Sequence, residues 1–222
     1  REVEKACRSF DTAMQLNPSE PLTLHGNADC MLLNGRIDES LELVHQMQMV
    51  DPFNLAHNRI YASHLFMARR YDEAVTESFR LEERFPGFSM HSLRASVYWL
   101  QGLRDEAIDQ QRLEFELDKD EVLLNALDEG RSSAGPVGAW RAIAEASAAR
   151  FESQYDDPFR IGDLFTFAGM PDEAFYWYER AVENGSALVT YMPVWPTLDV
   201  LRDDPRYLRL MQLAGLSDFT RG

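Results

Sequence analysis

The stretch YDEAVTESFRLEERFP occupies residues 71–86. It opens on the acidic pair Asp72-Glu73, sets a small residue at Ala74 and stops at Pro86. Acidic side chains complement the positive end of a helix dipole, so the pair reads as a first turn. Proline disfavours the helical conformation of the residue before it, so Pro86 reads as a stop. The same stop recurs at Pro52 and Pro18, in steps of 34 residues. The same opening recurs as Asp38-Glu39-Ser40, Asp105-Glu106-Ala107 and Asp172-Glu173-Ala174; from Ser40 through Ala74 and Ala107 to Ala174 the steps are 34, 33 and 67 residues. The last step is two periods. A fixed period of this length marks a tandem array of helix–turn–helix units.

Bulk properties agree with a folded array. The chain has 222 residues, 45% of them hydrophobic and 27% charged, enough for a sizeable buried interior. The formal net charge is −15. Phosphate backbones and anionic membrane surfaces are repelled by such a chain, so neither nucleic acid nor membrane is an expected partner. Only Lys5 and Lys119 are lysines; the other basic residues are arginines. Cys7 and Cys30 form no C-x-x-C pair or metal-ligand spacing, and read as small buried thiols in a reducing, cytoplasmic compartment. No window approaches a membrane-spanning length, and no signal-peptide pattern opens the chain. Arg1 is not a start methionine, and the first segment reads as the second helix of a repeat. The expectation is a fragment, the C-terminal part of a longer protein.

Small residues, aromatics and prolines recur in phase. Residues 1–20 hold half a unit, with Ala6, Phe10, Ala13 and Pro18. Residues 21–120 hold three units. The first carries Ala28, Gly35, Ser40 and Pro52; the second Tyr61, Ala62, Tyr71, Ala74 and Pro86; the third Ala95, Gly102 and Ala107. Arg69 stands where the second unit's turn glycine belongs, and Lys119 where the third unit's proline belongs. Residues 121–157 are degenerate: a helix ending at Gly130, a turn-rich break over 131–135, then a second helix entered at Pro136. A clean unit returns over 158–190, with Gly162, Phe165, Gly169, Ala174, Tyr178 and Ala181. Residues 191–222 read as a loop and a capping helix, with Asp204-Pro205 at its start and Gly215 at its end.

In this phase the chain resembles the tetratricopeptide repeat family. The resemblance implies an all-α solenoid of antiparallel helix pairs in a right-handed superhelix, closed by a C-terminal capping helix. The run Gly169-Met170-Pro171-Asp172-Glu173-Ala174, continuing to Ala181, with Leu201-Arg202-Asp203-Asp204-Pro205 after it, is similar to C-terminal repeat regions of bacterial multidomain signalling proteins and transcription regulators. In that family the first helices line a concave groove. Carried over, the lining positions are His25, Asp29 and Leu32, then Arg59, Ser63 and Phe66, then Ser92, Ser96 and Trp99, and finally Phe159 and Asp163. Phe66 and Trp99 would be apolar anchors for a peptide or helix, and Arg59 a fork for a carboxylate. The tail or another domain could instead fill the groove. The carboxylate clamp of chaperone-tail binders is not matched, since Asp29 would repel a carboxylate.

Catalytic patterns are missing. The acidic pairs suit the helix dipole better than acid–base chemistry. His25, His45, His57, His64 and His91 make no H-x-x-x-H or H-E-x-x-H spacing, and His57 and His64 could share a face without a third ligand. Pro136 removes a donor that a phosphate cradle at Gly135–Gly138 would need. The sequence therefore predicts a non-catalytic protein–protein interaction module with no cofactor and no metal, binding a protein, a peptide or another copy of itself. A self-contained scaffold or assembly factor is the alternative, and an enzyme with a site in the degenerate unit a weaker one.

Overall fold

A computed structural model describes residues 2–154 and 156–219. Among them every regular element is helical and no strand forms. Arg1, read as the opening of the fragment, lies outside the described residues, as do the last three positions of the expected capping segment. The chain forms two compact units, residues 1–93 with 215–222, and residues 94–214. The first holds α1 (Glu2–Leu16), α2 (Pro21–Leu33), α3 (Ile37–Val50), α4 (Leu55–Met67) and α5 (Tyr71–Arg84), each packed on its chain neighbours. Helix α6 (His91–Leu100) starts in the first unit and ends in the second. The second unit continues with α7 (Arg104–Asp118), α8 (Glu121–Arg150), α9 (Pro158–Phe167), α10 (Pro171–Glu183) and α11 (Pro205–Leu213), again packed in consecutive order from α7 on. This is an all-α array of solenoid type.

The repeat phase is visible in the packing. Ser40, Ala74, Ala107 and Ala174 are all 0% exposed, because each sits where two helices cross too closely for a larger side chain. Helices α1, α3 and α5 end at Leu16, Val50 and Arg84, each two residues before its proline. The inter-helix turns share one hydrogen bond: Arg36, Arg70, Leu103 and Met170 donate their backbone N–H to the carbonyls of Met31, Leu65, Tyr98 and Phe165 at 2.9–3.0 Å. That bond closes a helix end through a left-handed residue. Gly35, Gly102 and Gly169 supply it with φ of 75°, 83° and 70°. Arg69 fills the same role at φ 61°. A side chain pays a left-handed penalty of about 1–2 kcal/mol there that glycine does not. Arg69→Gly is therefore expected to stabilise the first unit by about 1 kcal/mol in urea unfolding, less what the Arg69 bond to the Met67 carbonyl contributes. A midpoint lower than wild type would contradict the turn assignment.

Three expectations need correction. Cys7 and Cys30 are not free thiols; they form a disulfide joining α1 to α2. The two helices face each other so that the sulfurs meet, which spacing along the chain does not reveal. Ala6 is exposed rather than a close contact; beside it Cys7 makes the crossing, and the Phe10 ring lies over Gly26, filling the space a Cβ would need. The helix of the degenerate unit does not end at Gly130. The first arm runs on past it, and the break falls at Ala134 and Gly135, within the expected 131–135 break, where Gly135 takes φ 67° and ψ −160°; a second arm then runs from Pro136 to Arg150. The chain doubles back there, and Gly130 meets Gly138 backbone to backbone.

A buried polar network ties the first unit together. Gln48 of α3 donates through Nε2 to Asn58 Oδ1 and Glu77 Oε1, both at 2.8 Å. Asn58 of α4 donates to the Pro52 and Asn54 carbonyls, and Arg84 of α5 donates to Pro52 O and Asn58 Oδ1. In the second unit, Trp99, Trp140 and Phe167 share an aromatic core with ring centres 4.9–6.1 Å apart. Helix α11 caps α10, burying Tyr207, Leu210 and Met211. Asp204 caps its first turn, and the Arg206 guanidinium holds the Asp204 carboxyl down to about 2. Arg206 also reaches Asp172 at 2.5 Å and covers the Phe175 ring.

Candidate functional site

The groove positions divide into core, self-occupied and solvent-facing residues. Leu32, Phe66, Trp99 and Phe159 are buried, at 0%, 4%, 7% and 0% exposed. Phe66 packs beside Tyr71. Trp99 is enclosed by Trp140 and Phe167, and the Arg104 guanidinium lies 3.8 Å above its ring while donating to its carbonyl. These aromatics are core, not open anchors, because large apolar side chains are drawn out of water wherever neighbours can reach them. The expectation of Phe66 and Trp99 as exposed anchors is corrected accordingly.

In the first unit, a turn of α2 places His25 and Asp29 on one face, with His25 Nε2 3.5 Å from Asp29 Oδ2. The structure adds a residue the groove positions missed. His64 of α4, 1% exposed, sets Nε2 3.2 Å from Asp29 Oδ1, out of line for a hydrogen bond. Its Nδ1 lies 3.0 Å from the Ile60 carbonyl, which can only accept, so Nδ1 carries a proton. The His25 and His64 rings meet edge-on at 5.9 Å. Burial lowers the His25 pKa; Asp29 opposes that shift, while His64 and His57 reinforce it. Asp29 thus bridges two imidazoles on opposite oxygens. Among the described residues no three His, Cys, Asp or Glu side chains converge as metal ligands. Arg59 is exposed and Ser63 half-buried on the same helix as His64. Ser92 and Ser96 are half-buried on α6.

In the second unit, Asp163 and Phe159 of α9 are covered by the chain's own tail. Trp195 packs edge-on against Phe159 at 5.3 Å and points Nε1 at both Asp163 oxygens, 3.1 Å from each. The Tyr178 hydroxyl of α10 shares a hydrogen bond with Asp163 Oδ1 at 2.8 Å. Glycine at 162 lets the Tyr178 ring cross α9, since a Cβ there would lie 2.7 Å from the ring. Burial pushes the Asp163 carboxyl up to about 7, against the hydrogen bonds from Tyr178 and Trp195 and the charge of Arg160. The self-filled groove, one of two readings of the sequence, describes this position.

The acidic pairs act as the dipole argument expects and also meet arginines from following elements. Asp38 faces Arg70 at 3.9 Å and Asp105 faces Arg131 at 2.9 Å, as Asp172 faces Arg206. The carboxylates of all three pairs are solvent-exposed, so water screens them and they add little stability. No family model matches this chain, and no curated protein is significantly similar to it.

Proposed function

We propose that the chain is a non-catalytic protein–protein interaction module of tetratricopeptide type, the partner-binding part of a bacterial signalling or transcription-regulating protein. The observation that carries this reading is the regular packing of helix pairs with polar, solvent-reaching side chains retained on first helices, Arg59 and Ser63 on α4 and His25 and Asp29 on α2. A core has no need of such residues, whereas a docking face does. With a charge of −15 on the module, the partner surface is neutral or basic. No helix among the described residues is long and apolar enough to cross a membrane. The Cys7–Cys30 bond favours a setting where disulfides persist over the reducing cytoplasm expected from free thiols.

The test is affinity capture from source cells with the wild-type chain and with Arg59→Glu/Ser63→Arg, both verified by circular dichroism. The expected result is that partners retained by the wild type fall at least about tenfold in the variant, as expected for a charge reversal at an interface. Equal recovery at equal folding would remove α4 as the docking face.

A further inference from the structure

We infer that Asp163 is a proton-operated latch for the segment 187–201, which is docked on α9 and α10 when the carboxyl is neutral and released more readily when it is ionised. The segment carries two 3-10 turns, Ala187–Tyr191 and Pro196–Leu201, and packs on α10 and α9 respectively. Polar anchors hold both of its ends. Ser186 donates to Asp157 at 2.9 Å where the segment begins. Arg202 holds the Pro193 carbonyl and Asp199 from the far end. Between them, Trp195 donates to Asp163 and ties the segment to α9.

The hydrogen-bond inventory favours a neutral acid. Thr166 donates its only hydroxyl proton to the Gly162 carbonyl at 2.8 Å and lies 3.1 Å from the Tyr178 hydroxyl. With Asp163 ionised, Tyr178 gives its proton to the carboxylate, and the 3.1 Å Tyr178–Thr166 contact has no proton of its own. With Asp163 protonated, every contact is filled in one direction: Asp163 to Tyr178, Tyr178 to Thr166, Thr166 to Gly162. Trp195 can donate to the remaining carboxyl oxygen in either state.

Among the described residues no cation pairs with the carboxyl at contact distance. The charged groups around it are Arg160 and Asp157 on α9 and its cap, with Tyr178 on α10. In the tail, Asp199 is paired with Arg202. On α8, Arg150 is paired with Asp120 and Asp156. Arg160 is exposed and its attraction is diluted by water.

The sign follows from linkage. A solvated aspartate titrates near 3.9, whereas the docked carboxyl is pushed up to about 7. Docking therefore takes up a proton between those values and weakens as pH rises, by at most about tenfold per pH unit, becoming flat above about 7. Release uncovers Phe159, the one aromatic groove position that the tail covers.

Hydrogen–deuterium exchange of peptides spanning 187–201 tests this on the full chain, corrected for intrinsic exchange at each pH. Wild-type protection is expected to fall about twenty-five-fold between pH 5.5 and 7.5, the value for one proton. Asp163→Asn keeps an acceptor for Trp195 but cannot ionise, and its protection is expected to stay constant. The carboxyl carbon shift of Asp163, followed in the wild-type chain, needs no variant and is expected to titrate near 7. An ordinary titration near 4, a pH-independent wild-type protection, or the same fall in Asp163→Asn would each overturn the latch.

Discussion

Gly130→Ala is expected to destabilise the second unit by about 2–3 kcal/mol, although alanine is the better helix former. The propensity gain is about 1 kcal/mol. Against it, a Cβ at 130 would lie 2.4 Å from the Gly138 carbonyl oxygen and 2.8 Å from the Ala142 Cβ. The obstructing atoms are backbone on one side and a short side chain on the other, so neither can swing away. The two arms of α8 would have to part, opening the layer beneath Trp140 and Ile143, which are 1% and 0% exposed. Gly135→Ala is the contrast. Nothing lies within 4 Å of its Cβ position, so its cost is backbone strain alone: φ 67° with ψ −160° is a conformation essentially confined to glycine, worth about 1–3 kcal/mol. Urea unfolding followed by tryptophan fluorescence measures both. A Gly130→Ala midpoint at or above wild type would show that the arms do not meet as described.

Removing the Cys7–Cys30 bond is expected to lower the stability of the first unit by about 3 kcal/mol, the loop-closure value for a separation of 23 residues. The effect should be local. Beyond the disulfide, α1 is held to α2 by the Phe10 ring over Gly26 and by Asn27, which donates to the Phe10 carbonyl at 2.9 Å. Its outer face is largely exposed. Cys7→Ala/Cys30→Ala should therefore lose helical signal in a first, shallow transition while the second unit melts as before. Thiol titration of the folded chain without reductant should find no reactive sulfur. Two titratable thiols would return these cysteines to the free state that their spacing suggested.

The elements that could be read from sequence are those whose cause is local. A proline stop, an acidic first turn and a small residue at a crossing each act within one or two turns of chain, so Pro52, Asp72 and Ala74 carry their meaning in place. Even the exception was legible: Arg69 stands in a glycine position, and the backbone there is left-handed. Burial of the groove residues was not legible, because it depends on partners from other helices. Trp99 is covered by Trp140 and Phe167, which belong to the degenerate unit and the one after it. Asp163 looked like a groove carboxylate, and only the fold of the irregular tail brings Trp195 onto it. His64 follows Ser63, which lies one period after Asp29. A search for metal spacings within a helix passes over a pairing that crosses between helices.

Helical repeats are often treated as interchangeable parts that can be deleted, duplicated or shuffled. The Gln48–Asn58–Glu77 network sets a limit on that freedom here. Its members come from α3, α4 and α5, so a recombination junction between α3 and α4 cuts through it. Joining α3 to a foreign repeat would leave the Gln48 amide facing apolar atoms. The severed α4–α5 pair would keep Glu77, 6% exposed, without its Gln48 donor. Each stranded polar group costs about 1–3 kcal/mol. A crossover inside the α5–α6 connection, after Arg84, carries the whole network with it. Chimeras built at that seam should fold where those built at residues 51–54 do not.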